Sequence, residues 1–400
     1  MRTSPQAPDD ADDAADAGAG PRPSAAPSPA ADHAAGARPR VLACGLATLD
    51  VTQVVDALPG PDEKIVAHDQ SVTAGGPALN AVISAAHLGC AATLVTRVGS
   101  GGAASAVHAE LAREGVDVVD LADAGWALAV STVLVTRATG ARAVVSTNAA
   151  ALDSALDAAL GAHAPHAPAL PSGLLDGVSA VLVDGHHLDL AVAVARSAQA
   201  AGVPVLLDGG SWKPGTAALL EHVDVAVLSA DFRVPPELRA PGDAPGEDAD
   251  ELAVVHALGP RVVARSHGAG PVRVAAWPPH EPGTAPPGRP WQAPAWEGTV
   301  TPDAVDDVRD TLGAGDVLHG ALLAGLGYAP VLAPGGGGAD DAGAARRSRT
   351  LAWVEAAARV ATASVQHVGA RGWTQVPGLA DALRVGLSGP DRRLRQLRSR

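Results

Sequence analysis

The sequence predicts an α/β protein in which helices cover a mainly parallel β-sheet. From about residue 40, short apolar runs that suit buried strands alternate with Ala-rich stretches that suit helices. Strands and helices in alternation form βαβ units, and such units build a parallel sheet with helices on its faces. One region differs, because two strand-like runs flank Thr139-Gly140 with no helix between them. This pattern predicts a β-hairpin that is separate from the main sheet.

The predicted elements follow in chain order. The first is a strand at 40–45, where an apolar run ends in Gly45. Further strands are predicted at 92–98, 178–184, 204–208, 223–228 and 261–266, and the hairpin strands at 132–136 and 143–146. Helices are predicted at 80–88, 103–114, 188–201, 314–326 and 352–366. Segments rich in Pro, Gly, Ala and Asp are predicted to be surface loops, namely 161–172, 234–250, 278–295 and 330–347.

The composition divides the chain into a domain and two tails. Residues 1–38 contain almost no large apolar side chains, so burial cannot offset the entropy of ordering them, and a disordered tail is expected. The predicted domain spans residues 39–385. Residues 386–400 hold five arginines at 392, 393, 395, 398 and 400 and are expected to form a solvated basic tail.

The charge and the cysteines limit the possible partners and location. The 400-residue chain has a formal net charge of −14, which disfavours binding to nucleic acid or membrane surfaces, because both are polyanionic. The sequence contains no apolar run typical of a transmembrane helix. Acidic residues at 9, 10, 12 and 13 stand where a secretory signal would need a basic start and an apolar stretch. The cytoplasm is therefore the expected location. Cys44 and Cys90 are expected to be free buried thiols.

The strongest candidate site is Asp310-Thr311-Leu312-Gly313-Ala314-Gly315-Asp316, which directly precedes an apolar helix. The small residues at 313–315 allow backbone N–H groups to approach an anion closely. At a helix start these groups have no partner within the helix and lie at the positive end of its dipole. The segment can therefore hold a phosphoryl group, while Asp316 is placed to accept a proton from an attacking hydroxyl. An ordinary Gly-rich turn with an Asp near a helix start is the alternative.

A second candidate site opens the helix at 80–88. The double glycine Gly75-Gly76 would allow a polyol to lie against bare backbone, and the amide of Asn80 offers both donors and an acceptor to hydroxyl groups. Capping of the helix by Asn80 is the alternative. Asp50, just past the first strand, could accept hydrogen bonds from two hydroxyls or could simply form a turn. Asp184 ends a predicted strand and is a further candidate for substrate contact.

In this order and spacing, these motifs resemble the ribokinase-like (PfkB) carbohydrate kinase family over about residues 40–385. The resemblance implies a three-layer α/β/α core with a small β-sheet lid, formed by about 51–74 and 127–148, that closes over a sugar. It implies that Asp316 is the catalytic base and that the backbone at Gly313, Ala314 and Gly315 forms an anion hole. It also implies sugar binding by residues at four positions, namely Asp50, Gly75, Gly76 and Asn80.

The resemblance further implies ATP and Mg²⁺ as cofactors, with a monovalent cation as an additional candidate, and Thr311, Ser266 and Gly268 as nucleotide contacts. The sequence departs from the family near the nucleotide. The Asn-x-x-Glu that organises magnesium is missing where the chain reads Val227-Leu228-Ser229-Ala230-Asp231, and only Asp231 could substitute for it. Pro271 replaces a glycine of the nucleotide turn and so removes a donor.

The resemblance is nearest to the sulfofructose kinase branch, through 59–64 and 316–320, and to the ketohexokinase branch, through 45–50. Lys64 and Arg142 both fall in the predicted lid and could reach an anionic group on a keto-sugar, since Arg suits a fork-like grip on such a group. Two solvated surface cations are the alternative. A homodimer through the lid is a further expectation.

Two other functions are considered. The altered magnesium and nucleotide motifs favour a non-catalytic sugar or nucleotide sensor on a kinase fold. Residues 99–104 match a loose Gly-x-Gly-x-x-Ala pattern, which would indicate a nicotinamide-dependent oxidoreductase with Asp117 or Asp120 as the ribose acid. The intact segment that ends at Asp316 favours a sugar kinase acting on a hexose, a ketose or an acidic sugar.

Overall fold

A computed structural model describes residues 38–147, 168–239, 248–278, 293–332 and 339–387. Most of the two predicted tails, and most of the loop predicted at 278–295, therefore lie outside the described residues. Within the described parts of the chain, no helix is long and apolar enough to cross a membrane.

The main sheet has nine strands in the order β13-β12-β11-β10-β9-β8-β1-β4-β5. The strands from β11 to β5 in this order pair in parallel. At the other edge, β12 pairs with both β11 and β13 in an antiparallel manner. The strands are β1 (Arg40–Cys44), β4 (Ala91–Thr96), β5 (Val116–Asp120), β8 (Val178–Val183), β9 (Val205–Gly209), β10 (Val225–Leu228), β11 (Val262–His267), β12 (Gly270–Ala276) and β13 (Trp296–Val300).

Eight helices are described, and they cover both faces of this sheet. They are α1 (Pro77–His87), α2 (Gly102–Arg113), α3 (Leu188–Ala200), α4 (Thr216–Leu220), α5 (Asp248–Ala257), α6 (Ala314–Tyr328), α7 (Ala339–Ser364) and α8 (Leu379–Leu387). Two short 3₁₀ turns lie at Pro236–Leu238 and Gly372–Gln375. Residues of α1, α2, α6, α7 and α8 share one core, and those of α3, α4 and α5 share the other.

The alternation of side chains along a strand explains the two cores. In β1, Val41 and Ala43 belong to one core, while Leu42 and Cys44 belong to the other. Successive residues of a strand point to opposite faces, so a strand covered on both sides reads as a continuous apolar run. The result is the predicted three-layer α/β/α architecture.

A close contact between α1 and α6 brings two distant parts of the sequence together. A Cβ atom added at Gly320 of α6 would lie 2.3 Å from the backbone oxygen of Ala81 in α1. Because only glycine fits there, the two helices approach each other more closely than ordinary side chains would allow. This contact places Asn80, on α1, beside the first turn of α6.

A second, four-stranded sheet stands apart from the main sheet, in the order β3-β2-β6-β7. Its strands are β2 (Thr48–Val55), β3 (Asp69–Gly75), β6 (Ala129–Thr136) and β7 (Arg142–Ser146). The strands β6 and β7 form the predicted hairpin, and β2 pairs with β6 in parallel and with β3 in an antiparallel manner. This lid sheet is built from the two segments assigned to the lid.

The predicted strands and helices agree with the structure to within three residues, with one exception. Helix α7 begins at Ala339, whereas the sequence predicted a loop at 330–347 and a helix only from 352. That prediction was wrong from residue 339 onward, because Ala and Arg are strong helix formers and outweigh the one glycine at 343. The prediction also missed several elements, namely the strands β5, β12 and β13 and the helices α4, α5 and α8.

Candidate active site

A cavity of about 910 Å³ lies between the lid sheet and the segments around the start of α6. Its lid side is lined by alternate residues of the four lid strands, because every second side chain faces the same way. Its core side is lined by residues 308–313 and 368–372, together with the start of α1. Seven of the candidate residues line this cavity, namely Asp50, Gly76, Asn80, Arg142, Thr311, Gly313 and Asp316.

The start of α6 forms a tight turn that leaves backbone N–H groups free. Gly313 has φ +74°, and a Cβ atom there would lie 2.8 Å from the Cβ of Ala370, so the turn requires glycine. The carboxylate of Asp310 holds the turn by accepting hydrogen bonds from the N–H of Leu312 (2.8 Å) and of Gly369 (2.9 Å).

Backbone amides without a partner lie where the sequence predicted an anion site. The N–H of Ala314 donates to Thr311 O at 3.3 Å. Within the described residues, the N–H groups of Gly313, Gly315 and Asp316 have no hydrogen-bond partner. Unpaired amides at the positive end of a helix dipole can bind an anion such as a phosphoryl group.

The carboxylate of Asp316 lies in the first turn of α6 and faces the cavity. The side-chain amide of Asn80 donates a hydrogen bond of 2.7 Å to its Oδ2. Burial, reinforced by the negative charge of Asp208, raises the pKa of Asp316 to about 7. A carboxylate with a pKa near neutrality can accept a proton from a hydroxyl and later release it, so it is suited to act as a general base.

A buried acid–imidazole pair supports this turn from below. Asp208 is the second-last residue of β9, and its Oδ2 lies 3.2 Å from Nδ1 of His319. Burial, together with the charge of Asp184, raises the pKa of Asp208 to about 7. Burial lowers the pKa of His319, whose Nδ1 is 2.8 Å from Gly315 O and whose Nε2 is 3.2 Å from Val227 O. His319 therefore links the start of α6 to β10.

The sugar-side candidates are placed by β2, β3 and the turn after β3. Asp50 accepts a hydrogen bond of 2.7 Å from Oγ1 of Thr48. A Cβ atom at Gly75 would lie 2.0 Å from Oδ2 of Asp50, so Gly75 makes room for this carboxylate. Gly76 has φ +105°, and a Cβ atom there would lie 2.3 Å from Leu46 O. Gly76 is required by its backbone conformation and by this close approach to backbone, whereas a side chain at Gly75 would force the carboxylate of Asp50 to move.

The two lid cations are placed differently. Arg142 lines the cavity, and its Nη2 donates to Oγ1 of Thr311 at 3.3 Å, which joins the lid sheet to the segment before α6. Lys64 is exposed in the loop between β2 and β3 and does not line the cavity. The structure therefore brings Arg142, but not Lys64, to the candidate site.

The metal candidate and two of the nucleotide candidates, Ser266 and Gly268, lie outside this cavity at the ends of β10 and β11, whereas Thr311 lines it. The hydroxyl of Ser266 donates to Leu228 O at 3.3 Å, and Gly268 forms the turn to β12 with φ +60°. Asp231 is exposed, and its N–H donates to Oγ of Ser229 at 3.2 Å. In the part of the chain that the structure describes, no three His, Cys, Asp or Glu side chains are placed to hold a metal ion.

A comparison with known families decides to which family the chain belongs. The sequence matches the profile of the pfkB family of carbohydrate kinases over residues 38–375. The chain belongs to the pfkB carbohydrate kinase family. Among curated proteins, no sequence is similar enough to this chain to be matched.

Solved structures show that this pfkB family member has the ribokinase-like fold. Ribokinase from Arabidopsis thaliana, complexed with ribose and ATP, is 18% identical with a TM-score of 0.58, and 87% of this chain and 99% of that chain are covered. Ribokinase from Giardia lamblia is 15% identical with a TM-score of 0.59, and the match covers 86% of this chain and 99% of that chain. Fructokinase with bound ATP from Xylella fastidiosa is 19% identical with a TM-score of 0.56, and the match covers 86% of this chain and 97% of that chain.

The prediction that Asp184 contacts substrate was wrong, because its side chain is enclosed by the protein. Its side chain is fully buried and accepts hydrogen bonds from the N–H of Leu46 (2.9 Å), Ala78 (3.0 Å) and His186 (2.9 Å). Burial alone would raise its pKa, but His186 and the backbone donors lower the pKa overall. Asp184 therefore joins the ends of β1 and β8 to the start of α1.

The nicotinamide alternative loses its structural basis. Asp120 does not face an open ribose site, because its carboxylate accepts hydrogen bonds of 2.9 Å from the N–H of Val98 and of Gly99. The loop that would hold a pyrophosphate is thus already bonded to the acid that would hold the ribose. Asp120 therefore holds the turn between β4 and α2.

Two residues of the site escaped the sequence analysis. Arg371 lines the cavity and forms an ion pair with Glu110 of α2. No motif surrounds either residue, and they are far apart in the sequence. The only available signal was the position of Arg371 directly after Gly369-Ala370, a small-residue turn in a segment without a predicted element.

Proposed function

We propose that this pfkB family member is an ATP-dependent sugar kinase of the cytoplasm in which Asp316 is the catalytic base. The observation that carries the proposal is the position of Asp316, whose carboxylate faces the cavity beside unpaired amides at the start of α6. Its pKa of about 7 leaves a large fraction of the group ready to accept a proton at neutral pH.

The proposed reaction is an in-line transfer of the γ-phosphoryl group. A sugar hydroxyl gives its proton to Asp316 while its oxygen forms a bond to the γ-phosphorus. The bond between that phosphorus and the bridging oxygen breaks, and ADP leaves with the electron pair. The amides around Gly313, Ala314 and Gly315 bind the charge on the transferred group, which is the main task in phosphoryl transfer.

The sugar is proposed to lie between the lid sheet and α1. Asp50 and Asn80 offer it hydrogen bonds, and Gly76 leaves bare backbone against which a ring can lie. The lid excludes water, so that the sugar hydroxyl rather than water accepts the phosphoryl group. Gly75 contributes indirectly, because it makes room for the carboxylate of Asp50.

The nucleotide is proposed to contact Thr311, Ser266 and Gly268. Magnesium would neutralise phosphate charge, and the residues present fit an ion that is held mostly by nucleotide phosphates and water. Mg²⁺ commonly needs only one or two protein carboxylates in such sites, and Asp231 is an exposed carboxylate at the end of β10. A monovalent cation remains part of the proposal without an assigned residue.

The substrate class is proposed to be a hexose, a ketose or an acidic sugar. Arg142 favours a substrate with an anionic substituent, because its guanidinium lines the cavity. Among the described residues, its hydrogen-bond partner is the neutral hydroxyl of Thr311. A fork of N–H donors suits sulfonate, phosphate or carboxylate. Lys64 could join it only if the loop between β2 and β3 moved towards the cavity.

Turnover of the wild-type protein and of Asp316→Asn tests the function. ADP release is measured over a panel of neutral sugars, sugar acids, sugar phosphates and sulfosugars. We expect wild-type turnover with one class of sugar and a loss of at least about a thousandfold in the variant, because base catalysis and the placement of the hydroxyl are removed together. ATP binding should persist in Asp316→Asn, as measured by the rise in melting temperature with ATP. Retained turnover in the variant would remove Asp316 from the role of base.

The same assay separates the kinase from a non-catalytic sensor. A sensor would gain thermal stability from a sugar and ATP but release no ADP with any member of the panel. The missing Asn-x-x-Glu motif favours the sensor, while the free amides beside Asp316 favour the kinase.

We also propose that a second copy of the chain binds the face of the lid sheet that is turned away from the cavity. Residues of this face alternate with those that line the cavity. Three of its valines are exposed, with Val72 at 49%, Val130 at 42% and Val145 at 74%. An exposed apolar sheet face gains stability when it is covered.

A further inference from the structure

Four side chains form a continuous series of contacts that ends at the carboxylate of Asp316. Glu110 of α2 and Arg371 form an ion pair. Nη2 of Arg371 donates to Oδ1 of Asn80 at 3.4 Å. The opposite end of the same amide, Nδ2 of Asn80, donates to Oδ2 of Asp316 at 2.7 Å. The series therefore joins two helices and the segment after α7 to the proposed base.

The geometry fixes which way the amide of Asn80 points. A side-chain amide has one accepting end and one donating end. Because the accepting end faces the guanidinium, the donating end must face Asp316. A reversed amide would place N–H groups against Arg371 and an oxygen against the carboxylate, and both contacts would be repulsive. Arg371 thus selects the orientation in which Asn80 supports a charged Asp316.

Arg371 can do this because it is itself held at several points. Its Nη2 also donates to Ala74 O at 2.6 Å, while Glu110 accepts a hydrogen bond of 2.8 Å from the N–H of the same residue. Ala74 belongs to β3, the lid strand that leads into α1. The pair formed by Arg371 and Glu110 therefore satisfies both backbone groups of Ala74 at the root of the lid.

We propose that Arg371 is a positioning residue, which orients Asn80 and thereby keeps Asp316 ready to act as a base. The inference rests on the proposed function for its catalytic meaning, but the contact itself is independent of any activity. Arg371 does not touch the reacting atoms in this proposal, and it acts through the amide of Asn80.

The charged surroundings define what must be separated in a test. Asp208 of β9, Asp184 just after β8 and His319 of α6 act on Asp316. Asp50 of β2 acts on Arg371, whose pKa is lowered to about 10 by burial. A substitution at Arg371 can therefore change the pKa of Asp316 in two ways. It can alter the orientation of the Asn80 amide, or it can remove a nearby positive charge.

Titration of Asp316, followed by NMR of protein labelled at the aspartate carboxyl carbons, measures the effect without requiring turnover. The signal is assigned by its loss in Asp316→Asn. We expect Arg371→Met to raise the pKa of Asp316 by about one unit, because a hydrogen bond to a charged group is weakened. Arg384→Met, which removes an arginine on α8, is the matched control and should leave the titration unchanged.

Two further variants separate orientation from charge. Arg371→Lys keeps the charge, but a single ammonium cannot reproduce the planar fork, so most of the upward shift should remain. In an Asn80→Ala background, Arg371→Met should add no further shift. Restoration of the wild-type titration by Arg371→Lys would overturn the proposal, as would an equal shift in the Asn80→Ala background or no shift with Arg371→Met.

The kinetic counterpart is the acid limb of the pH profile of kcat/KM. In Arg371→Met this limb should move to higher pH by the same amount as the NMR titration. If Asp316→Asn retains turnover, Asp316 is not the base, while the NMR comparison still decides whether Arg371 orients Asn80. Urea unfolding checks that each variant is folded. If Arg371→Met does not fold, Arg371→Lys carries the comparison.

Discussion

The replacement Asp208→Asn tests the electrostatics of the site most directly. Asp208 is 7% exposed at the end of β9, and its Oδ2 lies 3.2 Å from Nδ1 of His319. Burial and the charge of Asp184 raise the pKa of Asp208 from 3.8 to about 7. Asparagine removes the charge and keeps the shape and one acceptor oxygen.

The sign of the effect follows from the two protonation states. Because the pKa of Asp208 is higher in the folded protein than in the unfolded chain, its contribution to stability is fully present below about pH 4 and is lost as the pH rises to about 7. Between about pH 5 and about pH 8, this stabilisation falls only over the two pH units below the folded pKa of about 7. The loss is therefore about 3 kcal/mol, at about 1.4 kcal/mol per pH unit. Asparagine does not titrate, so the stability of the variant relative to wild type should grow by that amount.

Urea unfolding at about pH 5 and about pH 8 measures this difference. Asp62→Asn, which removes an exposed carboxylate from the loop between β2 and β3, is the matched control and should behave alike at both pH values. A stability difference between Asp208→Asn and wild type that does not change with pH would refute the reasoning. It would mean that Asp208 is as well solvated in the folded protein as in the unfolded chain.

Three further predictions follow from the site and its supports. The kcat/KM of the wild-type enzyme should rise about tenfold per pH unit up to about pH 7 and then level off, because the pKa of Asp316 is raised by burial and by Asp208; a limb near pH 4 would contradict this. Gly320→Ala should cost at least about 2 kcal/mol in urea unfolding because its Cβ would overlap Ala81 O, whereas Gly343→Ala, in open space on α7, should cost nothing. Val145→Asp should shift a dimer to monomer in sedimentation velocity, and an unchanged sedimentation coefficient would remove the lid face as the interface.

The raised pKa of Asp316 agrees with the role proposed for it. A structural carboxylate at a helix start is usually charged and solvated, and its pKa is held down by the helix dipole. Here burial and the nearby Asp208 outweigh that effect. Such perturbed groups cluster in active sites. Burial also raises the pKa of Asp208, and that second shift produces the predicted loss of stability at high pH.

Local pattern was sufficient for most of the fold. The apolar run of β1 and the Ala-rich stretch of α3 each carry their own period, and the structure confirms them at nearly the predicted bounds. The edge strands β12 and β13 escaped prediction. They form the antiparallel edge of the sheet, where β13 pairs with β12 alone among the described strands. Their sequences therefore lack the continuous apolar run of a buried parallel strand.

The sequence by itself determined which segments could carry the chemistry. The small residues before α6 and the double glycine before α1 are local features, because a tight turn and a close backbone approach depend on the residues at the turn itself. The placement of Asp316 at a helix start is local for the same reason. The family resemblance rested on these segments.

Only the tertiary structure decided which side chains meet. Asn80 and Asp316 are separated by 236 positions, and Arg371 and Asn80 by 291. Their contacts depend on α1 packing against α6 at Gly320, and on α2 bringing Glu110 to the root of the lid. Burial that shifts a pKa also belongs to the packed protein, since neither Asp208 nor Arg371 has a low-dielectric environment until the distant segments enclose it.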